Sequence, residues 1–331
     1  MHEYEIIRDD QASLEPLKGK TIAVIGYGNQ GRSQALNMRD SGLSVVIGNP
    51  RDTYLQRAVD DGFEVLTVDE AAARGDVIAL LIPDEAQKPV FEQLIAPNLA
   101  PGNCLVFAHG YNLHYGLMDI PADIDVIMVA PRMIGRAVRD LFVEGSGASA
   151  YCAVHQDATG KARATTLALA KAIGATRVGS ILTSVEVETE IDLFMEQATW
   201  AALVRVLTLT FEVLVEAGFP PEIVVHETWG SKEAAEILEA MADTGLFKQA
   251  SFHSQTSQYG TMTRGPAVIP ESVRESFRER LKEIQTGTFA REWEMERLLG
   301  YPVFKKLKAR ILAHPINTAE EKMREIEGGK G

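Results

Sequence analysis

Short apolar runs alternate with stretches of helical spacing through the first half of the chain. Thr21 to Ile25 reads as a buried strand, Gln30 to Asp40 as a helix and Ser44 to Ile47 as a second strand. Thr53 to Asp61 is helical, Glu64 to Val68 a short strand, Asp69 to Arg74 a short helix and Val77 to Ile82 another strand. Leu105 to Ala108 and Val126 to Val129 continue the series, and Ala150 to Val154 adds one more. Such alternation predicts a parallel sheet with helices on both faces. Beyond about Ser184 the strand pattern stops. Val187 to Val215, Ser231 to Ala242, Glu271 to Thr286 and Phe289 to Arg297 read as helices. The switch predicts an α/β domain over residues 1–184 and an all-α domain over 185–331. Ala198 to Glu216 is the most apolar long stretch; Arg205 and Glu212 interrupt it, so it reads as a buried core helix and not a membrane span. The charged, glycine-ended tail Glu320 to Gly331 is expected to fray.

Composition narrows the function classes. The 331 residues carry a formal charge of -13, which opposes nucleic acid and anionic membrane surfaces as partners. Cys104 and Cys152 form no CxxC, against a disulfide framework or a thiolate zinc site. The start Met1-His2-Glu3-Tyr4-Glu5 lacks the layout of a signal peptide, so the cytoplasm is the expected location.

The sharpest local signal is Gly26-Tyr27-Gly28-Asn29-Gln30-Gly31, a GxGxxG directly after a strand and at the start of a helix. The first glycine allows the tight turn, the second lets the backbone approach a pyrophosphate, and the third allows close helix–strand packing. A dinucleotide is expected there. The end of the second strand, Asn49-Pro50-Arg51-Asp52, usually separates NADH from NADPH. Arg51 suits a 2′-phosphate and Asp52 a free 2′-hydroxyl; both also read as turn residues, and the balance leans slightly to NADH. Asp84 and Gln87, in Leu80-Leu81-Ile82-Pro83-Asp84-Glu85-Ala86-Gln87, sit at the C-terminal end of another strand, where ligands bind; the segment reads as a loop over the cofactor or as a plain strand–helix turn capped by Asp84. Asp192 and Glu196 lie four apart on one helix face, beside Glu186, Glu188 and Glu190. Alone, such a pair is usually a solvated face; oxygen ligands without cysteine suit magnesium.

Further segments follow in order: Phe107-Ala108-His109-Gly110-Tyr111-Asn112, then Ala130-Pro131-Arg132-Met133-Ile134-Gly135, then Asp192-Leu193-Phe194-Met195-Glu196-Gln197, then Leu214-Val215-Glu216-Ala217-Gly218. With the glycine-rich turn and Ile82-Pro83-Asp84 upstream, the chain resembles the short-form (class I) ketol-acid reductoisomerases over nearly its whole length. The resemblance implies a Rossmann-like N-terminal domain and a knotted, all-helical C-terminal domain with two Mg2+ bound between them. It implies alkyl migration in 2-acetolactate or 2-aceto-2-hydroxybutyrate, then NAD(P)H reduction to the dihydroxy acid of valine and isoleucine biosynthesis. It adds Gly135 to the cofactor contacts and makes the chain a homo-oligomer, a dimer or a dodecamer of dimers.

The same resemblance assigns roles. Asp192 bridges both ions and Glu196 binds one. Glu227 matches the first acid of the family's second pair, whereas strict register puts Ser231 at the second. The chain is about two residues longer there, which leaves Glu233 (or Glu236) to supply that carboxylate through a loop around Gly230. Glu233 is accordingly expected as both ligand and proton-transfer group. His109, at a strand end before a glycine, is expected to be catalytic. Arg132 stands where the family commonly has lysine, and acts electrostatically because arginine does not readily lose a proton. Ser251-Phe252-His253-Ser254-Gln255-Thr256-Ser257-Gln258-Tyr259-Gly260 resembles the family's serine-rich substrate loop, and Ser254 falls on its substrate-binding serine. The competing reading, motivated by Ser231, is a hydroxyacid or imine reductase without the isomerase step; a third is a nucleotide-binding regulatory oligomer.

Overall fold

Strand register decides where the site lies. The computed structural model describes residues 2–326. It divides into two compact units, Met1–Asp192 and Leu193–Gly331. In the first, the elements are β1 (Glu5–Ile7), β2 (Thr21–Ile25), α1 (Asn29–Asp40), β3 (Ser44–Gly48), α2 (Thr53–Asp60), β4 (Glu64–Leu66), α3 (Val68–Arg74), β5 (Val77–Leu80), α4 (Asp84–Val90), β6 (Cys104–Phe107), α5 (Tyr111–His114), β7 (Asp125–Pro131), α6 (Gly135–Val143), β8 (Ala150–Gln156), α7 (Ala162–Ala172), β9 (Ser180–Leu182) and α8 (Val185–Phe194). Among the described residues the strands form one nine-stranded sheet, ordered β1-β9-β8-β7-β6-β5-β2-β3-β4.

The centre of this sheet is parallel and its strands are buried on both faces. The runs Ile22–Ile25, Val77–Leu80 and Cys104–Phe107 are therefore apolar without alternation. One face packs Val24, Val77, Val106 and Ile127 under α1 and α7; the other packs Ile25, Ile78, Leu105 and Val126 under α3 and its neighbours. The expected all-parallel sheet needs correction at one side: β8 runs antiparallel to β7, and β1 antiparallel to β9. β1 and β9 are three-residue strands, too short to give a period. The strand expected to reach Val68 stops at Leu66, because Thr67 accepts from Glu70 N and the Glu70 carboxylate accepts from Thr67 N, a capping box that starts α3.

The compact units part at Asp192, within α8. The first turns of α8 belong with the sheet: Val185 joins its core, and Glu188 is fully buried against the β6 end.

The second unit is helical: α9 (Ala201–Glu216), α10 (Pro221–Val225), α11 (Glu233–Thr244), α12 (Gln255–Val268), α13 (Val273–Gln285), α14 (Thr288–Leu298), α15 (Pro302–Leu312) and α16 (Pro315–Ile326). Phe211, Val224, Val225, Ala319 and Met323 form its small core. Three expectations change here. The stretch through α9 is not a buried core helix: only Phe211 of α9 is buried, while Leu203, Val204, Leu209 and Val213 are exposed. By length and composition alone the helical stretch Val185–Glu216 would suffice to cross a membrane. The serine-rich segment is mostly helix α12. The tail is ordered as α16 to Ile326, held by Ala319, Met323 and a Trp229 Nε1 to Glu320 hydrogen bond of 3.0 Å. The rest of the expected fraying, residues 327–331, lies outside the described residues.

Candidate active site

The glycine-rich turn leaves β2 at Gly26, whose φ of +95° lies in the left-handed region that glycine alone tolerates easily. A Cβ there would fall 2.9 Å from the Leu81 carbonyl oxygen. A Cβ on Gly31 would stand 2.0 Å from the Gly26 carbonyl oxygen, so α1 can approach β2 only without a side chain at that position. Around Gly28 there is nothing within 4 Å of a Cβ position. An open cradle thus faces the first turn of α1, where unpaired N–H groups suit a pyrophosphate. Gly135 packs against this turn, its Cβ position 2.0 Å from Asn29 O, and Gln30 Nε2 donates to Met133 O at 2.9 Å.

Tyr27 is turned inward. Its hydroxyl donates to Asp61 Oδ2 (2.8 Å), which also accepts from Arg32 Nε (2.7 Å). Burial first, then the Asp61 carboxylate, pushes the phenol well above its ordinary value. Tyr27 N donates to Asn49 Oδ1 (3.2 Å), and Asn49 Nδ2 donates to Asp52 Oδ1 (2.8 Å). That same Asp52 oxygen accepts from Tyr54 N (2.8 Å) and Leu55 N (3.3 Å), which caps α2. Arg51 is exposed.

A cleft of about 500 Å³ runs from Gly26–Gln30 past Asn49 and Asp52 to Asp84, Gln87 and His109. Gln87 lines it but its amide is committed: Nε2 donates to Ile82 O and Asp84 Oδ1 (both 3.1 Å), and Oε1 accepts from Asn112 Nδ2 (2.9 Å). Asn112 Nδ2 also donates to Asp84 O (3.0 Å). This buried amide pair ties the loop after β5 to the loop after β6.

At the end of β6, His109 Nδ1 meets Glu188 Oε1 at 3.1 Å and Asp192 Oδ2 at 3.7 Å, while Nε2 lies 3.9 Å from Asp84 Oδ2. Glu188 Oε2 accepts from Gly110 N at 2.9 Å. Gly110 must be glycine, since a Cβ would fall 2.3 Å from Thr189 Oγ1 and 2.7 Å from Val185 Cγ1. Arg132, just past β7, donates to Glu188 Oε1 (3.0 Å) and to Asp192 Oδ1, and lies over the Tyr151 ring at 5.1 Å. Burial alone would lower the His109 pKa. The Glu188 hydrogen bond and the charges of Glu188, Asp84 and Asp192 outweigh it and lift the imidazole to about 9. Burial would raise Glu188, but His109, Gly110 N–H and Arg132 hold it below the ordinary carboxylate range.

His109, Glu188 and Asp192 offer ligand atoms within 4.8 Å of one another, a grouping that could hold a metal ion. His109, Arg132 and Asp192, expected at the site, are thus brought together. Glu188 is the residue that sequence reasoning missed, treated only as one of several neighbouring acids. It lies one helical turn before Asp192, the same spacing that singled out Glu196. The remaining expected residues belong to the second unit. Glu196 sits in a π-helical turn, Met195–Trp200, and Glu227 in another, His226–Gly230. Glu233 opens α11 after Lys232, whose φ is +69°; this break replaces the continuous helix that a four-residue acid spacing requires. Ser254 caps α12, its hydroxyl accepting from Ser257 N at 3.2 Å. Among the described residues, Glu196, Glu227 and Glu233 do not by themselves form a three-residue metal cluster.

Comparison with known proteins covers both units. Residues 16–179 match the family described as acetohydroxy acid isomeroreductase, NADPH-binding domain, and residues 185–327 match the ketol-acid reductoisomerase C-terminal domain. The chain is 44% identical over 328 residues to a ketol-acid reductoisomerase (NADP(+)) of Pyrobaculum arsenaticum, covering 98% of this chain and 99% of that one. It is 46% identical over 326 residues to the corresponding protein of Methanopyrus kandleri, covering 98% of each. A solved NADH-preferring ketol-acid reductoisomerase from an uncultured archean superposes with a TM-score of 0.93 at 38% identity, over 97% of this chain and 98% of that one. Glycine turn, buried acids and matches along both halves agree: the chain belongs to the ketol-acid reductoisomerase family.

Proposed function

We propose that this ketol-acid reductoisomerase lays its dinucleotide along the C-terminal edge of the sheet and carries out its alkyl shift at the acids beside His109. One observation carries this reading: His109, Glu188 and Asp192 converge within 4.8 Å at the end of the cleft that begins at the glycine turn.

The donor set fits a hard dication. Glu188 and Asp192 supply carboxylate oxygens, and both cysteines are buried elsewhere as free thiols. Glu196, Glu227 and Glu233 are the further carboxylates of the two-ion site, with Ser254 for the substrate, in the domain from residue 185 onward. Bound magnesium ions supply Lewis acidity, which lowers the barrier to removing the tertiary hydroxyl proton and polarises the neighbouring ketone. The protein's part is placement. His109, fixed through Nδ1 by Glu188, presents Nε2 towards Asp84, so a proton held there has a path to the cleft. Arg132 offsets the charge of Glu188 and Asp192 without acting as a base.

Asp52 favours NADH: its carboxylate, pinned on Asn49 and the α2 N-terminus, would accept from a free 2′-hydroxyl and repel a 2′-phosphate. The exposed apolar residues of α9 suit burial against a second copy of the chain, and the cytoplasm is the proposed location.

The test is turnover of 2-acetolactate and of the already rearranged 3-hydroxy-3-methyl-2-oxobutyrate, with NADH and NADPH, across a magnesium titration. Magnesium-dependent turnover of both is expected. Turnover of the rearranged acid alone would leave a reductase without the isomerase step.

A further inference from the structure

Arg132 holds a position that sets it against any cation at the acid cluster. Its backbone N–H donates to Ser149 O at 2.8 Å, which fixes the chain immediately after β7. The two guanidinium nitrogens then divide between two acids: Nη1 donates to Glu188 Oε1 at 3.0 Å and Nη2 to Asp192 Oδ1. The guanidinium face lies over Tyr151 at 5.1 Å, so the group is held from two directions.

The carboxylate oxygens are shared out. Glu188 Oε2 accepts from Gly110 N, and Glu188 Oε1 faces both His109 Nδ1 and Arg132. Asp192 Oδ2 lies 3.7 Å from His109 Nδ1, which leaves Oδ1 to Arg132. The lone pairs to which Arg132 donates are thus those of two residues in the candidate ligand group. A lone pair given to a guanidinium is not available to a dication, and a fixed positive charge a few ångströms away repels one.

We propose that Arg132 competes with the divalent cation for Asp192 and Glu188, so that its guanidinium weakens metal binding and sets the working affinity of the site. This rests on the reading that these carboxylates ligate a divalent ion. The arginine acts as a tethered cation: it offsets the charge of buried Glu188 and part-buried Asp192, which favours folding, and would have to release Asp192 for that carboxylate to hold a dication. The planar fork reaches both acids at once. A lysine keeps the charge but offers one compact head that pairs with one acid at a time.

The experiment is direct titration of the full chain with Mn2+, by calorimetry and by electron paramagnetic resonance of the free ion, without cofactor or substrate. Wild type, Arg132→Gln and Arg132→Lys are compared, with circular dichroism as the folding control. Arg132→Gln is expected to bind Mn2+ at least tenfold more tightly than wild type, and Arg132→Lys by an intermediate factor. In thermal unfolding with chelator, Arg132→Gln should melt below wild type, yet gain more from added Mn2+, because the ligand stabilises in proportion to its affinity. A merely structural arginine would lower the melting point without tightening Mn2+. If Arg132→Gln does not fold, Arg132→Lys carries the test. Equal or weaker binding in the folded variants overturns the proposal alone; no binding in any protein removes the metal reading beneath it as well.

Discussion

Glu188 is the most heavily used side chain at the site, and replacing it with glutamine tests the site's construction. The substitution keeps shape and removes charge. Its two oxygens take hydrogen bonds from Gly110 N (2.9 Å), from Arg132 Nη1 (3.0 Å) and from the His109 side (3.1 Å). The Gly110 N–H is a fixed donor, so the amide oxygen of glutamine must take the Oε2 place. Its NH2 then faces Arg132 and His109. His109 can adapt by accepting at Nδ1, but Arg132 can only donate, so that bond is lost. A hydrogen bond to a charged group contributes roughly 1.5–3 kcal/mol, and leaving a buried donor unmet costs about 1–3 kcal/mol more. Some relaxation of the one-third exposed arginine offsets part of this, which leaves about 2–4 kcal/mol. For a unit of this size that lowers the melting temperature by roughly 5–15 °C. Differential scanning calorimetry at neutral pH in chelator measures it, with the exposed Glu186→Gln, expected to shift stability by less than about 0.5 kcal/mol, as control. A melting temperature for Glu188→Gln within about 1 °C of wild type would refute the hydrogen-bond assignment.

Gly28→Ala should keep the wild-type melting temperature, because the Cβ position is open, yet lose at least tenfold in NADH affinity by fluorescence titration; Gly31→Ala, whose Cβ would meet a backbone oxygen at 2.0 Å, should lose stability as well. Asp52→Ala removes the α2 cap, for a loss of about 1 kcal/mol in urea unfolding, and should shift the NADH to NADPH ratio of kcat/KM towards NADPH. Asp61 is held below its ordinary value of 3.8 by Arg32, against burial, with help from Tyr27. Its folded value is depressed, so its stabilisation is complete above 3.8 and is lost as the pH falls through the folded value. The urea-midpoint gap between wild type and Asp61→Asn should stay constant from neutral pH to about 5 and narrow only below 3.8.

The sequence made the central sheet legible because strands buried on both faces leave uninterrupted apolar runs, as at Thr21–Ile25 and Val77–Leu80. The short edge strands β1 and β9 escaped, and β8, though legible as a strand, carries nothing in its apolar run to say that it runs antiparallel to β7. Ser251–Gly260 read as a loop by resemblance, yet Ser254 caps a helix that runs through Gly260, Gly265 and Pro266 despite their poor helix propensity. The α9 stretch read as buried because apolar composition does not say what covers it. At the site, His109 was visible at a strand end, Asp192 through its spacing to Glu196, and Arg132 only through the family resemblance. Glu188 was not, because one acid among Glu186, Glu188 and Glu190 is indistinguishable until the fold shows which points at Gly110 N. Likewise Asp61 carries no motif, although it anchors both Tyr27 and Arg32 behind the glycine turn.

The row of strand ends explains why binding and chemistry share one edge. Gly48, Ile25, Leu80, Phe107 and Met128 are paired across β3, β2, β5, β6 and β7. Each strand is followed by a different polar group: Asn49 and Asp52 after β3, the glycine turn after β2, Asp84 in the loop after β5, His109 after β6 and Arg132 after β7. Four inter-strand spacings amount to roughly 19 Å. Along that distance the groups change in order, from a carboxylate suited to a ribose, through N–H groups suited to phosphates, to the imidazole and acids suited to proton and metal chemistry. On the proposed reading, a dinucleotide along this row would lie with its reactive ring towards His109. The Asn112–Gln87 pair ties the loops after β5 and β6 together beside His109, so strand pairing, and not loop flexibility, sets how Asp84 and His109 stand to one another.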